Sequence, residues 1–280
     1  EWPTYNSETE TYEFSSTAGV KFGTWYENYE EIIENYPYTC WSTSKTCAKG
    51  KPYFTVTGRN NDTQAWGNYT SVSSKNYEST FSSTYDSTIK SNLDKWFEAV
   101  FMNSGSYKTD TYGISYENYF SDSSFCNDRS IASGNGYDFV PTTLYGAYNR
   151  LLSKKIPSLK CTNKNDRYTV DDTTNGNGWL TYPASLITAD EVAMAGGKYG
   201  NVNTEYYLYN GDYYWTLSPS NFYQSNASSN VWHVTRAGEL NPNYRVHSDY
   251  GVRAVLNLKP DVLLASGDGT SMDPYEIKIS

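Results

Sequence analysis

The sequence has few of the features by which proteins bind polyanions or cross membranes. Lys and Arg number 22 against 31 Asp and Glu, a net charge of -9, and no basic run is long enough to follow a phosphate backbone. We therefore expect no nucleic-acid partner. No apolar stretch approaches the ~20 residues of a membrane-spanning helix. Because residues 1–4 lack the charged and apolar regions of a signal peptide, we interpret the chain as a mature or trimmed extracellular portion with no membrane span.

Catalytic motifs are also lacking. The chain contains no Gly-x-Ser-x-Gly elbow, no His-Glu-x-x-His and no phosphate-binding loop, and its two histidines leave few ways to build a Ser-His-Asp triad,. A glycosidase needs only two facing carboxylates, and the candidates are Asp190, Glu191, Asp212, Glu239 and Asp249. The sequence does not pair them. We predict that the protein is not an enzyme and keep carbohydrate processing as a less favoured alternative.

The four cysteines favour an exported protein. Cys40 and Cys47 flank a short polar loop and suit a disulfide at a hairpin end, which leaves Cys126 and Cys161 as a second pair,. A zinc site is disfavoured because there is no Cys-x-x-Cys and the histidines lie far away in sequence. We expect two disulfides, no metal among the cysteines, and a secreted or cell-surface location.

Aromatic residues are what the chain has in abundance. It carries 29 Tyr, 8 Trp and 10 Phe. Tyrosine among Ser, Thr and Asn is typical of extracellular β-rich proteins and of binding surfaces, because its ring supplies rigid amphipathic area at a small entropic cost. This composition indicates recognition more than catalysis.

Hydrophobic periodicity predicts strands near the N-terminus and most of the helices further along the chain. Alternation predicts strands in Val20–Tyr26 and Tyr53–Thr57, and a short helix fits 28–35,. The clearest helix is Thr88–Phe101, with its apolar residues on one face and Ser87 as N-cap. A second helix is predicted over Thr143–Ser153. A third begins at a capping box, Thr188 with Glu191, and ends at Gly196-Gly197.

Five segments together resemble a known family. They are Ser87–Trp96, Phe125–Arg129, Leu186–Gly197, Tyr214–Pro219 and Gly251–Leu258. The chain resembles, over residues 76–280, a family of uncharacterised bacterial surface domains that look like distant relatives of the C-type-lectin-like fold. That fold is shared with formylglycine-generating enzymes and with the variable proteins of diversity-generating retroelements. One departure is Ala254, where relatives commonly have Pro.

The resemblance to retroelement-diversified proteins implies a binding surface in the C-terminal third. In those proteins adenine-directed mutagenesis enriches Asn, Tyr, Ser, Asp and His at exposed positions, and residues 221–250 have this composition, although the same residue types are common throughout the chain. The implied ligand-binding residues are Asn221, Tyr223, Asn226, Asn230, Trp232, His233, Asn241, Asn243, Tyr244, His247, Asp249 and Tyr250. Formylglycine-generating enzymes use a cysteine pair with copper. Residues 162–280 contain no cysteine, so we carry over the fold and not that activity.

Two segments raise the question of calcium. Asn241-Pro242-Asn243 is similar to the tripeptide by which calcium-dependent lectins hold calcium and a sugar, with Glu239 nearby, but the usual Trp-Asn-Asp partner is missing,. We favour a Pro-containing turn between two strands. The loop Ser266–Asp273 would bind calcium through Asp268 and Asp273, or would simply be a tight turn. We expect no cofactor, with calcium as the one open alternative.

Three further residues carry structural expectations. Trp215 lies in an apolar run and is predicted to be core. Trp232 and His233 are neighbours in a strand, so their side chains point to opposite faces and one of them should be exposed. Arg253, in an apolar strand, is expected to form a buried ion pair or to bond to backbone.

We conclude that the sequence predicts an α+β protein. Its residues 1–75 would form an N-terminal β-rich portion, and residues 76–280 a C-type-lectin-like domain with a few helices around small antiparallel sheets. The expected function is adhesion or recognition of a protein or glycan ligand on another cell or surface. The alternative is a structural subunit of an extracellular fibre or pilus-like appendage, in which the same surface would support self-association.

Overall fold

A computed structural model of the chain describes ten stretches of residues. They are 2–6, 11–15, 20–21, 51–53, 65–67, 88–134, 142–223, 228–245, 249–270 and 273–279. Within them the protein is α+β, with three short or medium helices and small antiparallel sheets. The predicted class is therefore confirmed. The expected Cys40–Cys47 bond, the helix over 28–35, and the Ser87 cap lie outside the described residues.

The strands are numbered in chain order, and most are short. They are β1 Trp2–Asn6, β2 Thr11–Ser15, β3 Val20–Lys21, β4 Lys51–Tyr53, β5 Ala65–Gly67, β6 Met102–Asn103, β7 Ser106–Tyr107, β8 Phe125–Cys126, β9 Ile131–Ser133, β10 Thr143–Tyr145, β11 Arg167–Tyr168, β12 Ala184–Leu186, β13 Tyr214–Tyr223, β14 Ser228–Val234, β15 Leu240–Arg245, β16 Asp249–Tyr250, β17 Ala254–Leu256, β18 Val262–Ser266 and β19 Glu276–Ile279.

One sheet dominates the described fold. Its strand order is β15-β14-β13-β10-β9, and all its neighbours are antiparallel. The other sheets are two-stranded pairs, among them β12 with β17 and β18 with β19. Strand β3 pairs with β16, so the N-terminal portion contributes a strand beside the C-terminal region.

The helices largely follow their sequence signals. Helix α1 spans Thr88–Phe101 as predicted and buries Ile89, Leu93 and Phe97. Helix α3 spans Ala189–Ala195. Its predicted capping box is confirmed, because the Thr188 hydroxyl accepts from the Glu191 N–H while the Glu191 carboxylate accepts from the Thr188 N–H.

The prediction of a helix over Thr143–Ser153 is wrong for its first three residues. Residues Thr143–Tyr145 form β10, and helix α2 begins only at Gly146–Tyr148 before continuing as a π-helix over Asn149–Lys154. Pairing of β10 with both β9 and β13 fixes Thr143–Tyr145 in the sheet. Tertiary hydrogen bonding therefore overrides the local helical pattern there.

The interpretation of Asn241-Pro242-Asn243 as a turn is also wrong. The tripeptide lies inside β15, which is an edge strand of the five-stranded sheet. Proline has no N–H to donate, so an edge strand is where a sheet tolerates it. Pro219 lies in the central strand β13, at a point where the pairing register shifts. Such an irregularity interrupts the ladder of hydrogen bonds, so the missing N–H of proline is tolerated there as well.

Both expectations of structural roles in the core are confirmed. Trp215 is fully buried. Arg253 bonds to backbone, since its guanidinium donates to the Leu208 carbonyl and lies 5.0 Å from the centroid of the Tyr214 ring. The predicted disulfide between Cys126 and Cys161 is also present.

Both faces of the central sheet are covered. The helix-covered face carries Tyr214, Trp232, Val234 and Leu240, which share a core cluster with Ala189 and Val192 of α3. Trp232 and His233 point to opposite faces, yet they are 0% and 1% exposed. The expectation that one of them is exposed is therefore wrong, because aromatic rings cover the second face as helices cover the first.

Candidate functional site

The second face of the sheet carries five packed aromatic rings, here named the ring cluster: Tyr213, Trp215, His233, Tyr244 and Tyr250. The Tyr250 ring is at the centre. Its centroid lies 4.7 Å from that of Tyr213, 4.8 Å from that of Trp215 and 4.8 Å from that of Tyr244. His233 lies 5.1 Å from both Tyr244 and Tyr250. These separations are those of favourable aromatic pairs.

Strand register explains why these rings meet. Trp215 of β13 lies opposite His233 of β14, and His233 in turn lies opposite Asn241 of β15. Tyr213 is two residues from Trp215 and so shares its side of the chain. A parallel bridge between Tyr214 and Gly251 brings the end of β16 alongside the start of β13. Tyr250 is thereby placed over the face that Trp215 and His233 share.

Exposure increases from the sheet towards the outer rings. Trp215 and His233 are buried, Tyr250 is 8% exposed, and Tyr244 is 43% exposed. Tyr213 is of intermediate exposure. The cluster is therefore a rigid stack with its inner rings in the core and its outer rings in contact with solvent.

The inner rings are uncharged at neutral pH. Burial lowers the pKa of His233 to about 4, against smaller opposing effects of hydrogen bonds with the backbone of Val231 and Asn241. Burial, followed by the hydrogen bond with Tyr244, raises the pKa of Tyr250. The stack thus presents neutral aromatic faces and hydroxyl groups.

Charged and amide groups border the outer rings. The Arg236 guanidinium lies 5.6 Å from the Tyr213 centroid, a distance at which a cation is attracted to an aromatic face,. Its Nε is 3.8 Å from Oδ1 of Asp212, and both side chains are exposed. On the β15 side, the Asn241 side chain accepts a hydrogen bond from the Asn243 N–H at 2.9 Å, and Asn243 is exposed.

The structure brings together only some of the residues predicted to bind ligand. His233, Tyr244 and Tyr250 belong to the ring cluster, and Asn241 and Asn243 lie on the same strand as Tyr244. Of these five, Asn243 and Tyr244 have exposed side chains and Asn241 is partly exposed. The solvent-facing part of the predicted surface is thus narrow and centred on β15.

Three other predicted residues are buried within the sheet. Asn221 and Asn230 face each other across β13 and β14, and the Asn230 amide donates to the Asn221 side-chain oxygen at 2.8 Å. Both are at most 7% exposed. Trp232 belongs to the core under α3. Their hydrogen bonding and packing give them a structural role in this conformation.

Four predicted residues have no described side chain. Tyr223 ends β13 and Asp249 belongs to β16, and only their backbone is described. Asn226 and His247 lie outside the described residues.

Sequence reasoning did not include Tyr213, Arg236 or Asp212 in the binding surface. Trp215 lies in the core as predicted, and through its contact with Tyr250 it also supports the outer rings. The two-residue period of strands was the available signal, since it puts Tyr213 and Trp215 on one side of β13. Arg236 and Asp212 lie in loops far apart in sequence, and only the folded chain brings them together.

The predicted calcium loop is held by its own hydrogen bonds. The N–H groups of Asp268 and Gly269 both donate to the Asp273 carbonyl at 3.0 Å, and the Asp268 carboxylate accepts from the Thr270 N–H. That bond lowers the pKa of Asp268. In the part of the chain that the structure describes, no three His, Cys, Asp or Glu side chains are grouped as metal ligands.

A separate cavity of about 180 Å³ lies between the disulfide and α3. At its wall the Arg150 guanidinium bridges Asp128 and Asp190, and the Asp190 carboxylate also accepts from the Ser158 N–H at 2.8 Å. Both of these carboxylates are thus paired with Arg150, and the Glu191 carboxylate is engaged by the helix cap. This arrangement fixes α2 against α3.

None of the helices that the structure describes is long and apolar enough to span a bilayer. The Cys126–Cys161 disulfide is compatible with an extracellular protein,. Comparison of the chain with protein-family models, with curated proteins and with solved structures found no match.

Proposed function

We propose that the protein is a secreted or cell-surface recognition protein that binds a protein or glycan through the outer rings of the ring cluster. The binding surface consists of Tyr213 and Tyr244, with Arg236 next to Tyr213 and the amide-bearing strand β15 carrying Tyr244. The observation that carries this proposal is the graded burial of the stack, in which an exposed tyrosine rests on a fully buried Trp–His layer.

A stack of this kind lowers the entropic cost of binding. The ring of Tyr244 is held at 4.8 Å from Tyr250 and at 5.1 Å from His233, so it loses little freedom when a ligand covers it. Tyr and Arg are the residues that most often dominate binding energy at interfaces. The adjoining amide groups supply hydrogen bonds that orient a partner.

The resemblance of residues 76–280 supports a finer proposal. The domain is a distant C-type-lectin-like fold, and its surface corresponds to the region that retroelement-diversified relatives vary. An amide-rich edge beside exposed tyrosine suits that role. Comparing the coding locus with its flanking DNA tests this point, because diversification predicts a nearby copy of the segment for residues 215–256 that differs only at adenines.

Binding itself is tested with purified protein on printed arrays of glycans and of extracellular proteins. For any ligand found, we expect Tyr244→Ala to weaken binding roughly tenfold or more, as for a central interface aromatic. The matched control is Tyr207→Ala, since Tyr207 is 79% exposed and does not belong to the ring cluster. Equal binding by Tyr244→Ala and wild type would contradict the proposal.

A further inference from the structure

A groove that shares no residue with the ring cluster lies beside β19. It encloses about 890 Å³, within the range of ligand-binding clefts. One wall is the C-terminal strand segment Tyr275–Ile279, and the facing wall is the loop that includes Tyr112 and Ile114. Phe120 and Leu258 contribute apolar surface between them. None of these residues belongs to the ring cluster.

The groove is lined by the whole length of β19. Five consecutive residues, Tyr275–Ile279, line it. Side chains of a strand alternate between its two faces, so a cleft on one face would be lined by alternate residues. The groove therefore meets the backbone of β19 as well as its side chains, and the outer edge of β19 is the one turned away from β18.

That edge has no ladder partner within the described part of the chain. Strand β19 pairs on one side with β18, and the two form a sheet of their own. The described backbone hydrogen bonds outside helices and strands include none from Glu276–Ile279. An unpaired edge presents N–H and C=O groups in the spacing that another extended chain can bind.

The apolar side of the hairpin continues beyond its own core contact. Val262 and Ile279 lie opposite each other and pack against the core near Phe97. The next pair on that side, Leu264 and Ile277, is 63% and 37% exposed. Apolar surface is thus available next to the free edge, where it would contact side chains of an added strand.

The facing wall is held in place by one carboxylate. Asp110 accepts hydrogen bonds from the N–H groups of Tyr112 and Ile114 at 2.8 and 2.9 Å and from the Tyr119 hydroxyl at 2.5 Å. The Tyr112 side chain remains 81% exposed at the groove. The walls are therefore formed before any ligand binds.

We infer that this groove binds an extended peptide segment of a partner protein, which adds as a strand to the free edge of β19. The four residues of β19 give a ladder of ~13 Å at about 3.3 Å per residue. Along β19 the charges of Glu276 and Lys278 offset each other, so this wall of the groove does not select a segment of strong net charge. Alternate apolar side chains of that segment would cover Ile277 and the groove floor.

The experiment uses a displayed library of random dodecapeptides, selected on the full chain. Peptides that also bind the Ile277→Lys protein are removed from the library. The remaining enriched sequences are synthesised with and without N-methyl groups on alternate amides. We expect alternating apolar sequences whose affinity falls at least tenfold on Ile277→Lys and on N-methylation. The matched control is Leu263→Lys, which places the same change on the other face of the same hairpin, where Leu263 is 45% exposed.

A second variant keeps the test independent of hairpin folding. Tyr112→Ala changes only an exposed side chain on the facing wall and should also weaken the selected peptides. Failure to enrich any peptide that distinguishes wild type from Ile277→Lys would overturn the inference. Peptide affinity that is unaffected by N-methylation would overturn it too. If neutral oligosaccharides displace the peptides, and their binding depends on Tyr112, the groove would be assigned to glycans instead. Since Tyr244→Ala leaves this groove intact, the outcome is separate from that of the array experiment.

Discussion

The two faces of the five-stranded sheet are buried by different means. On one face Trp232, Val234 and Leu240 are covered by helix α3. On the other, Trp215 and His233 are covered by tyrosines whose outer members reach solvent. The first arrangement completes a core, and the second ends in a polar aromatic surface. The difference shows that burial of a strand residue does not by itself reveal whether its neighbours can meet a ligand.

The largest effect should come from removing the tryptophan of each face in turn. Both Trp215 and Trp232 are fully buried, so each change to Ala should lower the free energy of unfolding by about 3–5 kcal/mol. Urea denaturation measures both. The faces differ in binding, because only Trp215→Ala removes support for the outer tyrosines. If both variants lost the same ligand affinity under conditions where both are folded, the proposed difference between the two faces would be contradicted.

Acid should destabilise the tyrosine-covered face through His233. Its pKa is about 4 when folded and about 6.5 when unfolded, so below pH 6.5 the unfolded chain binds the proton first. Stability is then complete above pH 6.5 and falls towards pH 4, by roughly 3 kcal/mol in total. Urea midpoints measured between pH 4 and 7.5 check this.

The histidine prediction has a matched pair of variants. His233→Phe keeps an aromatic ring in the cluster and should remove that part of the pH dependence. His247→Gln, which replaces the other histidine of the chain, should leave it. An unchanged slope in His233→Phe would show that His233 does not cause the acid sensitivity.

A smaller effect is expected on the helix-covered face. Thr188→Ala removes the hydroxyl that caps α3 and should lower the free energy of unfolding by about 1 kcal/mol. Thr188→Ser retains the hydroxyl and serves as control. Thermal unfolding measures both variants, and ligand affinity should stay unchanged in each. A change in affinity would mean that the two faces are coupled.

The smallest stability effect should be that of Arg236→Ala. This side chain is 70% exposed and lies 3.8 Å from an exposed Asp212, so its loss should change the free energy of unfolding by no more than about 0.5 kcal/mol. Ligand affinity should nevertheless fall, because the cation borders Tyr213. Calorimetric titration measures the ligand affinity separately from the free energy of unfolding. Arg236→Lys, which retains the charge, is the control.

Sequence patterns predicted the local elements better than the tertiary ones. Helix α1 and the Thr188 capping box were found because their signals lie within a few residues. The strand at Thr143–Tyr145 was missed because its pairing partners lie far away in the chain. Likewise, composition pointed to residues 221–250 but could not separate Asn230, buried opposite Asn221, from the exposed Asn243.

The ring cluster was out of reach for a related reason. Its rings come from four strands and the residue before β13, and the burial of the inner rings depends on Tyr250 of β16 lying over the sheet. Alternation could place Tyr213 with Trp215, and no local pattern could add Tyr250. The free edge of β19 was equally out of reach, because it follows from the pairing of all the described strands and not from a local pattern.

The most direct test of the proposed binding surface is tyrosine nitration of the folded protein, followed by mass spectrometry, with and without a ligand identified on the arrays. Tyr207 and Tyr244 are exposed and should react, whereas the buried Tyr214 should not. We predict that bound ligand protects Tyr244 and leaves Tyr207 reactive. Protection of Tyr207 with full reactivity at Tyr244 would contradict the account and place recognition outside the ring cluster.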